Sequence, residues 1–266
     1  YYAISWANTI KAEIEAKADN FDEDFYQSDI SFVGTMYNEV HNLFDRMEHL
    51  SDYTKGYLQG IMQAQMKVYG YYFIEELLSK EIIEDMQHSL PLQPGNDSVE
   101  STEWLFAHYV IARKIANLER TALLKAVSEH FNTKLYTPNP TPELSQIHNM
   151  GSVDYQHQMP YVFKNSAINL NISLRSIRSG IPLRCFDIMG CGGFLLSNYQ
   201  GDFYEHFVPG EDLVLFESQE DFLNKCDYYL KHDNERRQIA ANAYGKVKEF
   251  HTYEVRLKEI FEVVFA

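Results

Sequence analysis

One stretch of about thirty residues constrains the fold more than any other part of the chain. It covers residues 167–197 and combines two apolar segments, a basic loop, a helix start and a pair of glycines. Residues 168–172 alternate apolar and polar side chains, and a second apolar run at 194–196 follows Gly192 and Gly193. Both patterns predict strands, and what lies between them predicts a ligand-binding loop and a helix.

The helix is predicted to run from about residue 182 to residue 190. Ser179 or Gly180 provides a capping group, and Pro182 stands where a backbone N–H would lack a helical partner in any case. A loop between a strand and a helix start brings N–H groups and the positive end of the helix dipole to one place. Ser179, Gly180 and the helix start are therefore predicted to bind an anion.

Charged side chains around this loop favour a phosphate-bearing ligand. Arg175, Arg178 and Arg184 are three guanidinium groups within ten residues, and guanidinium suits phosphate oxygens. For any one of them, a salt bridge to a surface carboxylate is an equal alternative. Asp187 is predicted to accept hydrogen bonds from ribose hydroxyls, and its alternative partner is Arg184 on the neighbouring turn.

Two further places are predicted to face the ligand. Residues 29–34 predict a first strand that ends in a glycine turn, so Gly34 and Thr35 lie at its carboxyl end, where open α/β sheets bind ligands. Asn169 and Asn171 share one side of the strand before the basic loop. Asn171 is predicted to contact the ligand, although two core asparagines that tie down a loop explain the pattern about as well.

The rest of the chain alternates strands and helices. Helical spacing of apolar residues predicts three or so helices between residues 55 and 131. Beyond them the predicted elements are strands at 134–138 and 213–216, and helices starting at Thr141–Pro142, at 155–164, after Ser218, at 234–250 and, after a Thr252 cap, at 253–264. Connections of this length predict a doubly wound parallel sheet of the α/β class with a helical insertion.

Composition excludes several classes of function. The formal net charge of −15 argues against a DNA or RNA partner. The three cysteines match no zinc or redox spacing, so buried free thiols are expected. The ten histidines include no HExxH motif and no tight pair with a carboxylate at metal spacing, so no bound metal is expected. No stretch reaches the roughly twenty apolar residues of a transmembrane helix, and no signal-peptide pattern opens the chain. A cytoplasmic protein without a transmembrane segment is expected.

Several motifs together resemble one family. Residues 166–199 (SAINLNISLRSIRSGIPLRCFDIMGCGGFLLSNY), followed by FVPGEDLVLF, YYLKHDNERRQIAANAYGKV and HTYEVRL, are similar to the glycosyltransferase-like proteins related to the spore-maturation protein CgeB. DISFVGTMYNE, at residues 29–39, extends the resemblance upstream. The members of this family are GT-B glycosyltransferases, which have two Rossmann-like domains. The family usually carries glutamate where this chain has Asp187. The aspartate keeps the negative charge, but its side chain is shorter by one methylene group.

The resemblance implies a domain organisation. YYAISWANT, the first residues, resembles the family's connection between domains, so 1–27 is expected to be a linker from a missing N-terminal domain. Residues 28–250 would form the Rossmann-like C-terminal domain, with 55–131 as its helical insertion, and 251–266 would be a crossover helix. The missing domain would complete the site, so no catalytic residue is assigned.

The implied function is that of a donor domain. It would bind a nucleotide-diphosphate sugar, a UDP-sugar as the first choice, as substrate and without a cofactor, for transfer to an unknown acceptor. Two alternatives remain open: a GT-B-fold nucleotide-sugar epimerase, and a non-catalytic nucleotide-sugar-binding or interaction module of the same fold. The donor-binding set is Gly34, Thr35, Asn171, Arg175, Arg178, Ser179, Gly180, Arg184 and Asp187.

Overall fold

A computed structural model describes residues 22–39, 42–95 and 97–265 of the 266-residue chain. The predicted linker 1–27 therefore lies mostly outside the described residues. The described chain forms two compact units. The sheet unit comprises residues 22–34, 123–171 and 180–265, and the helical unit comprises residues 35–122 and 172–179.

Parallel strands form the centre of the sheet unit. They are β1 (Ser28–Val33), β2 (Thr133–Tyr136), β3 (His148–Asn149), β4 (Ser166–Asn171), β5 (Leu195–Asn198) and β6 (Val214–Phe216). The spatial order is β3-β2-β1-β4-β5-β6. It reverses direction between β1 and β4, where Ile30 pairs with Ile168 and Phe32 with Leu170. This is the order of a doubly wound sheet, so the predicted α/β fold class is confirmed.

Helices make up most of the remaining structure. They are α1 (Glu23–Tyr26), α2 (Asp52–Met66), α3 (Ile74–Leu77), α4 (Lys80–Ser89), α5 (Thr102–Trp104), α6 (Ala112–Ser128), α7 (Met159–Asn165), α8 (Leu183–Gly190), α9 (Phe203–His206), α10 (Gln219–Lys231), α11 (Asp233–Phe250) and α12 (Tyr253–Val264). A π-helical segment, Leu105–Ile111, joins α5 to α6. The helices of the sheet unit provide the crossovers that parallel strands require.

The predicted helix caps are confirmed where their chemistry is local. The Ser218 hydroxyl accepts a hydrogen bond from the N–H of Asp221 at 3.0 Å and starts α10. The Thr252 hydroxyl starts α12 in the same way, at 3.4 Å from the N–H of Val255. The cap predicted for α8 was wrong: its N-cap is Pro182, without a side-chain cap hydrogen bond, so neither Ser179 nor Gly180 caps the helix, which begins at Leu183.

The helix predicted at Thr141 was wrong. This segment forms single turns, in which Leu144 donates to the Thr141 carbonyl and Ile147 donates to the Leu144 carbonyl. The Thr141 hydroxyl accepts from the Asn149 amide at 3.1 Å. The Thr141 side chain is thus bonded to the β3 strand, and a cap-and-proline signature alone did not nucleate a helix.

The helix predicted over 155–164 begins later than expected. The Asp154 carboxylate accepts hydrogen bonds from the N–H groups of Gln156, at 3.0 Å, and His157, at 2.7 Å. An aspartate that binds the backbone two residues on stabilises a turn in place of a helix. Helix α7 therefore starts at Met159, with proline in its first turn.

The helical unit has a hydrophobic core of its own. Its largest fully buried side chains include Leu58 on α2, Tyr72, and Phe106 in the π-helical segment. The helices predicted between residues 55 and 131 are present, and α2 begins three residues earlier than that range. The unit also takes in residues 172–179, which the sequence did not indicate.

The three cysteines, Cys185, Cys191 and Cys226, are buried and free, as predicted. Burial raises the pKa of the Cys185 and Cys226 thiols above its ordinary value. Across the described ranges, no helix combines the length and the apolar character that a membrane crossing demands.

Candidate functional site

The sheet unit has a candidate ligand-binding position at the point where its strand order reverses. Strands β1 and β4 are adjacent and parallel, and they end at Val33 and Asn171. Gly34 follows β1 directly, and its N–H donates to the Tyr136 carbonyl on β2 at 3.0 Å. Open α/β sheets bind ligands at the carboxyl ends of such strands, where the flanking helices diverge.

Arg184 lies at this edge of the sheet. A Cβ atom built on Gly34 would fall 3.1 Å from Nη2 and 3.2 Å from Nη1 of Arg184. The guanidinium carbon is also 5.9 Å from the centre of the Phe32 ring. The absence of a side chain at residue 34 therefore lets a cation approach the end of β1. Gly34 and Arg184, both predicted site residues, are brought together.

The loop before α8 carries Gly180, whose backbone is left-handed at φ +88°. A side chain would be strained in that conformation. The Gly180 N–H donates to the Asp202 carboxylate, a partner that the sequence did not reveal. A phosphate at the start of α8 would therefore compete with Asp202 for this N–H, or bind the N–H groups that follow it.

Asp187 is buried on the second turn of α8, with 3% of its surface exposed. The Tyr155 hydroxyl donates to its Oδ1 at 2.9 Å. Sequence reasoning did not find Tyr155, because the two residues are 32 positions apart and the tyrosine lies in a turn that was predicted to be helical. The hydrogen bond fixes the carboxylate beside the start of α8.

The two asparagines of β4 tie strands and helices together. Asn169 is fully buried, donates to the Phe163 carbonyl at 2.9 Å and accepts from the Ser31 hydroxyl at 2.9 Å. Asn171 donates to the Ser197 hydroxyl on β5, also at 2.9 Å. These contacts match the alternative in which the asparagines are structural.

Four predicted residues belong to the helical unit, and two of these are arginines with partners inside it. Arg175 donates to the Glu119 carboxylate, 3.0 Å from Nε to Oε2, and its guanidinium carbon lies 3.3 Å from the centre of the Tyr69 ring. Burial raises the pKa of Glu119, and the Arg175 charge opposes that rise. Arg178 donates to the Tyr72 carbonyl at 2.9 Å.

Thr35 and Ser179 lie at the ends of the two segments of the helical unit. The Thr35 carbonyl accepts a hydrogen bond from Nη1 of Arg120 at 2.6 Å. Ser179 is exposed. Neither Glu119 nor Arg120 carries a sequence signal of function, because adjacent charged residues on a helix are most often solvated.

A groove of about 490 Å³ lies at the opposite, amino-terminal edge of the sheet, and we call it the amino-edge groove. It is lined by Ser28 and Ser166, the first residues of β1 and β4, and by Arg236 and Arg237. Both arginines pair with Asp233. We favour the carboxyl edge as the candidate site because helices that follow parallel strands direct their positive N termini there.

The glycosyl transferase-like family model matches residues 113–262, more than half of the chain. The chain belongs to this family. The matched region contains seven of the nine predicted site residues, all except Gly34 and Thr35.

Two solved structures are similar at low identity. The TarM structure is 10% identical with a TM-score of 0.44, over 53% of this chain and 31% of TarM. A glycosyltransferase from Rickettsia africae ESF-5 is 14% identical with a TM-score of 0.42, over 74% of this chain and 54% of that protein. The chain thus spans about a third and about half of their lengths. No curated protein matches it.

Proposed function

We propose that this chain is the donor-binding part of a glycosyltransferase, which binds a nucleotide-diphosphate sugar at the carboxyl edge of its sheet. The observation that carries the proposal is the position of Arg184, whose guanidinium lies against Gly34 where the strand order reverses. The charge is on the first turn of α8, so the cation and the positive end of the helix dipole act on the same region.

In this proposal each group has a distinct role. The start of α8 and Arg184 hold the diphosphate and stabilise the negative charge that grows on the leaving nucleotide as the glycosidic bond breaks. Asp187, oriented by the Tyr155 hydroxyl, accepts hydrogen bonds from the ribose. Fixed cationic groups can stabilise the leaving group by themselves, so the proposal requires neither a metal nor a cofactor. A UDP-sugar is the first donor to test.

We further propose that the chain is CgeB-like, acts in the cytoplasm and works with an N-terminal domain of the same protein. The outer face of α12 supports a partner domain. Its apolar residues Leu257, Ile260, Phe261 and Val264 follow helical spacing, and each is about half exposed or more. Such a stripe is typical of a helix that packs against another surface.

A second candidate is the non-catalytic module of the same fold. Two groups that the sequence predicted for phosphate already have partners within the chain: the Gly180 N–H is bound to Asp202, and Arg175 is bound to Glu119. A module that has this fold but catalyses no transfer would tolerate both of these internal contacts. Nucleotide binding in the full-length protein without glycosyl transfer or donor hydrolysis would favour it.

Calorimetric titration with UDP, GDP and their sugars tests the donor site. One nucleotide series should bind the wild type, and Arg184→Gln and Asp187→Asn should each weaken it about 10- to 100-fold, equivalent to about 1.4–2.7 kcal/mol. Arg237→Gln is the matched control, because it removes an equal charge at the amino-edge groove and should leave the affinity unchanged. Equal affinity in all four proteins would contradict the proposed site.

A further inference from the structure

The loop that follows β5, residues 199–202, contacts the loop before α8, and both loops belong to the sheet unit. The contact is the hydrogen bond from the Gly180 N–H to the Asp202 carboxylate, which joins residues 22 positions apart. Gly180 is exposed, so a dissolved anion can reach the same N–H. A carboxylate oxygen is therefore bound beside the start of α8, where the proposed function requires phosphate oxygens.

Asp202 makes this contact in place of a local one. It is the N-cap residue of α9, and aspartate is favoured there because its carboxylate can accept helix N–H groups. Within the described residues 97–265, its side chain makes no cap hydrogen bond. The N–H of Phe203 has only a long bond, 3.4 Å to the Gln200 carbonyl, and that of Glu205 lies 3.3 Å from its backbone acceptor. The Asp202 carboxylate thus has donors nearby to which it can turn when it leaves Gly180.

Gln200, two residues before Asp202, shows that this arrangement of the loop is incompletely bonded. Its side chain is 8% exposed, and its Oε1 has no hydrogen-bond partner among the described residues. A buried acceptor without a partner is costly, because it has lost its hydrogen bonds with water. The arrangement that holds Asp202 on Gly180 is therefore less stable than a fully bonded loop, and an anion displaces it more easily.

We propose that Asp202 is an internal competitor of the donor: its carboxylate occupies the Gly180 N–H until a diphosphate displaces it, and loop 199–202 then moves away from the loop before α8. This inference rests on the proposed function and describes how the same site is regulated. A carboxylate and a diphosphate are both anionic, so they compete for one N–H and repel each other. Asp202 thus lowers the affinity for the donor, whereas Arg184 raises it.

Calorimetric affinities for UDP and for inorganic pyrophosphate test the competition. Asp202→Asn keeps the size of the side chain but makes the acceptor neutral. Both anions should therefore bind about three- to tenfold more tightly, which is the difference between a charged and a neutral hydrogen bond. Equal or weaker binding in Asp202→Asn would overturn the inference.

Glu205→Gln is the matched control for that variant. Glu205 is exposed on α9, and its substitution removes an equal charge close to Asp202 in the chain. A solvated charge is screened, so the affinity should change by less than about twofold. A gain as large as that of Asp202→Asn would show a general charge effect and overturn the competition.

Gln200→Met tests the loop with the opposite sign. Methionine is similar in length but has no carbonyl, so the arrangement with Asp202 on Gly180 loses its unpaired acceptor and becomes more favourable. UDP should then bind about threefold more weakly. A loop that only supports the site would weaken binding in both Gln200→Met and Asp202→Asn, and that result would overturn the inference.

Hydrogen exchange distinguishes a failure of this inference from a failure of the proposed function. Without any ligand, Asp202→Ala should speed exchange of the Gly180 amide about tenfold, because the carboxylate that accepts this N–H is gone. Pyrophosphate bound to the wild type should protect residues 183–187 and speed exchange at 201–205. Unchanged exchange of Gly180 in Asp202→Ala, or pyrophosphate binding to no variant, would overturn the inference. UDP binding no tighter than pyrophosphate would overturn the proposed function, and the pyrophosphate affinities would still decide the competition.

Discussion

His251 shows how the environment of one residue sets its chemistry. It is buried, stacks on the Phe207 ring with centroids 5.2 Å apart, and accepts a hydrogen bond from Arg256. Burial lowers its pKa from 6.5 to about 4, and the positive charges of Arg256 and of neighbouring side chains add to that effect. His251 is therefore neutral in the folded protein at physiological pH and has a structural role.

The lowered pKa predicts a loss of stability in acid. Below about pH 6.5 the unfolded chain takes up a proton on His251 that the folded chain does not take up until about pH 4. As the pH falls from about 6.5 to about 4, the free energy of unfolding should therefore fall by up to about 1.4 kcal/mol per pH unit. Above about pH 6.5 the protonation of His251 costs no stability.

Urea titrations at pH 7, 5.5 and 4 measure this effect. His251→Gln keeps an acceptor for Arg256 but does not titrate, so its stability should decline less steeply than that of the wild type. Parallel pH profiles for the two proteins would contradict the predicted ionisation. The difference between the profiles isolates His251 from the many carboxylates of an acidic chain.

At the scale of elements, Gly193 lies where the loop before β5 approaches both α7 and β4 closely. A Cβ at this residue would lie 2.6 Å from the Phe163 carbonyl and 2.7 Å from Nδ2 of Asn169, two groups that are hydrogen bonded to each other. Gly193→Ala should therefore destabilise the protein by about 1–3 kcal/mol through overpacking.

Gly245→Ala is the matched control for that substitution. Gly245 lies inside α11, and no atom beyond its own stretch of helix comes within 4 Å of the place that a Cβ would take. The same change should stabilise the protein by about 0.5–1 kcal/mol, because alanine favours a helix. Denaturant midpoints give both values, and a Gly193→Ala protein as stable as the wild type would refute the close approach.

The apolar face of α12 gives a second prediction at this scale. Because Phe261 is 54% exposed, Phe261→Lys should change the free energy of unfolding of this chain by less than about 0.5 kcal/mol. Val247→Lys, on the buried face of α11, should unfold it or cost several kcal/mol. A large loss in Phe261→Lys would mean that the residue is already packed within the chain.

Local sequence patterns predicted the secondary-structure elements, but they could not predict contacts between residues far apart in the sequence. The caps at Ser218 and Thr252 each depend on a donor three residues away, so the sequence showed them directly. The Arg175–Glu119 pair joins residues 56 positions apart, and nothing near either residue identifies the other. For this reason the sequence predicted the strands and the α8 start, but it could not show which arginine is committed to an internal carboxylate.

At the scale of the whole molecule, the net charge and the charge at the candidate site have opposite signs. The chain carries a formal charge of −15, whereas the candidate site combines Arg184 with a helix N terminus. A local cationic position in an acidic protein favours a small anionic ligand over a nucleic acid backbone. Membership of the glycosyl transferase-like family is consistent with a nucleotide sugar as that ligand.

Hydrogen exchange with and without saturating UDP, or whichever nucleotide diphosphate binds in the titration, tests the central claim most directly. The account predicts that protection concentrates at residues 34–35 and 180–187, the carboxyl edge at β1 and the start of α8. Protection confined to the amino-edge groove, at residues 27–29, 192–194 and 236–240, would contradict it. So would the absence of protection at either edge.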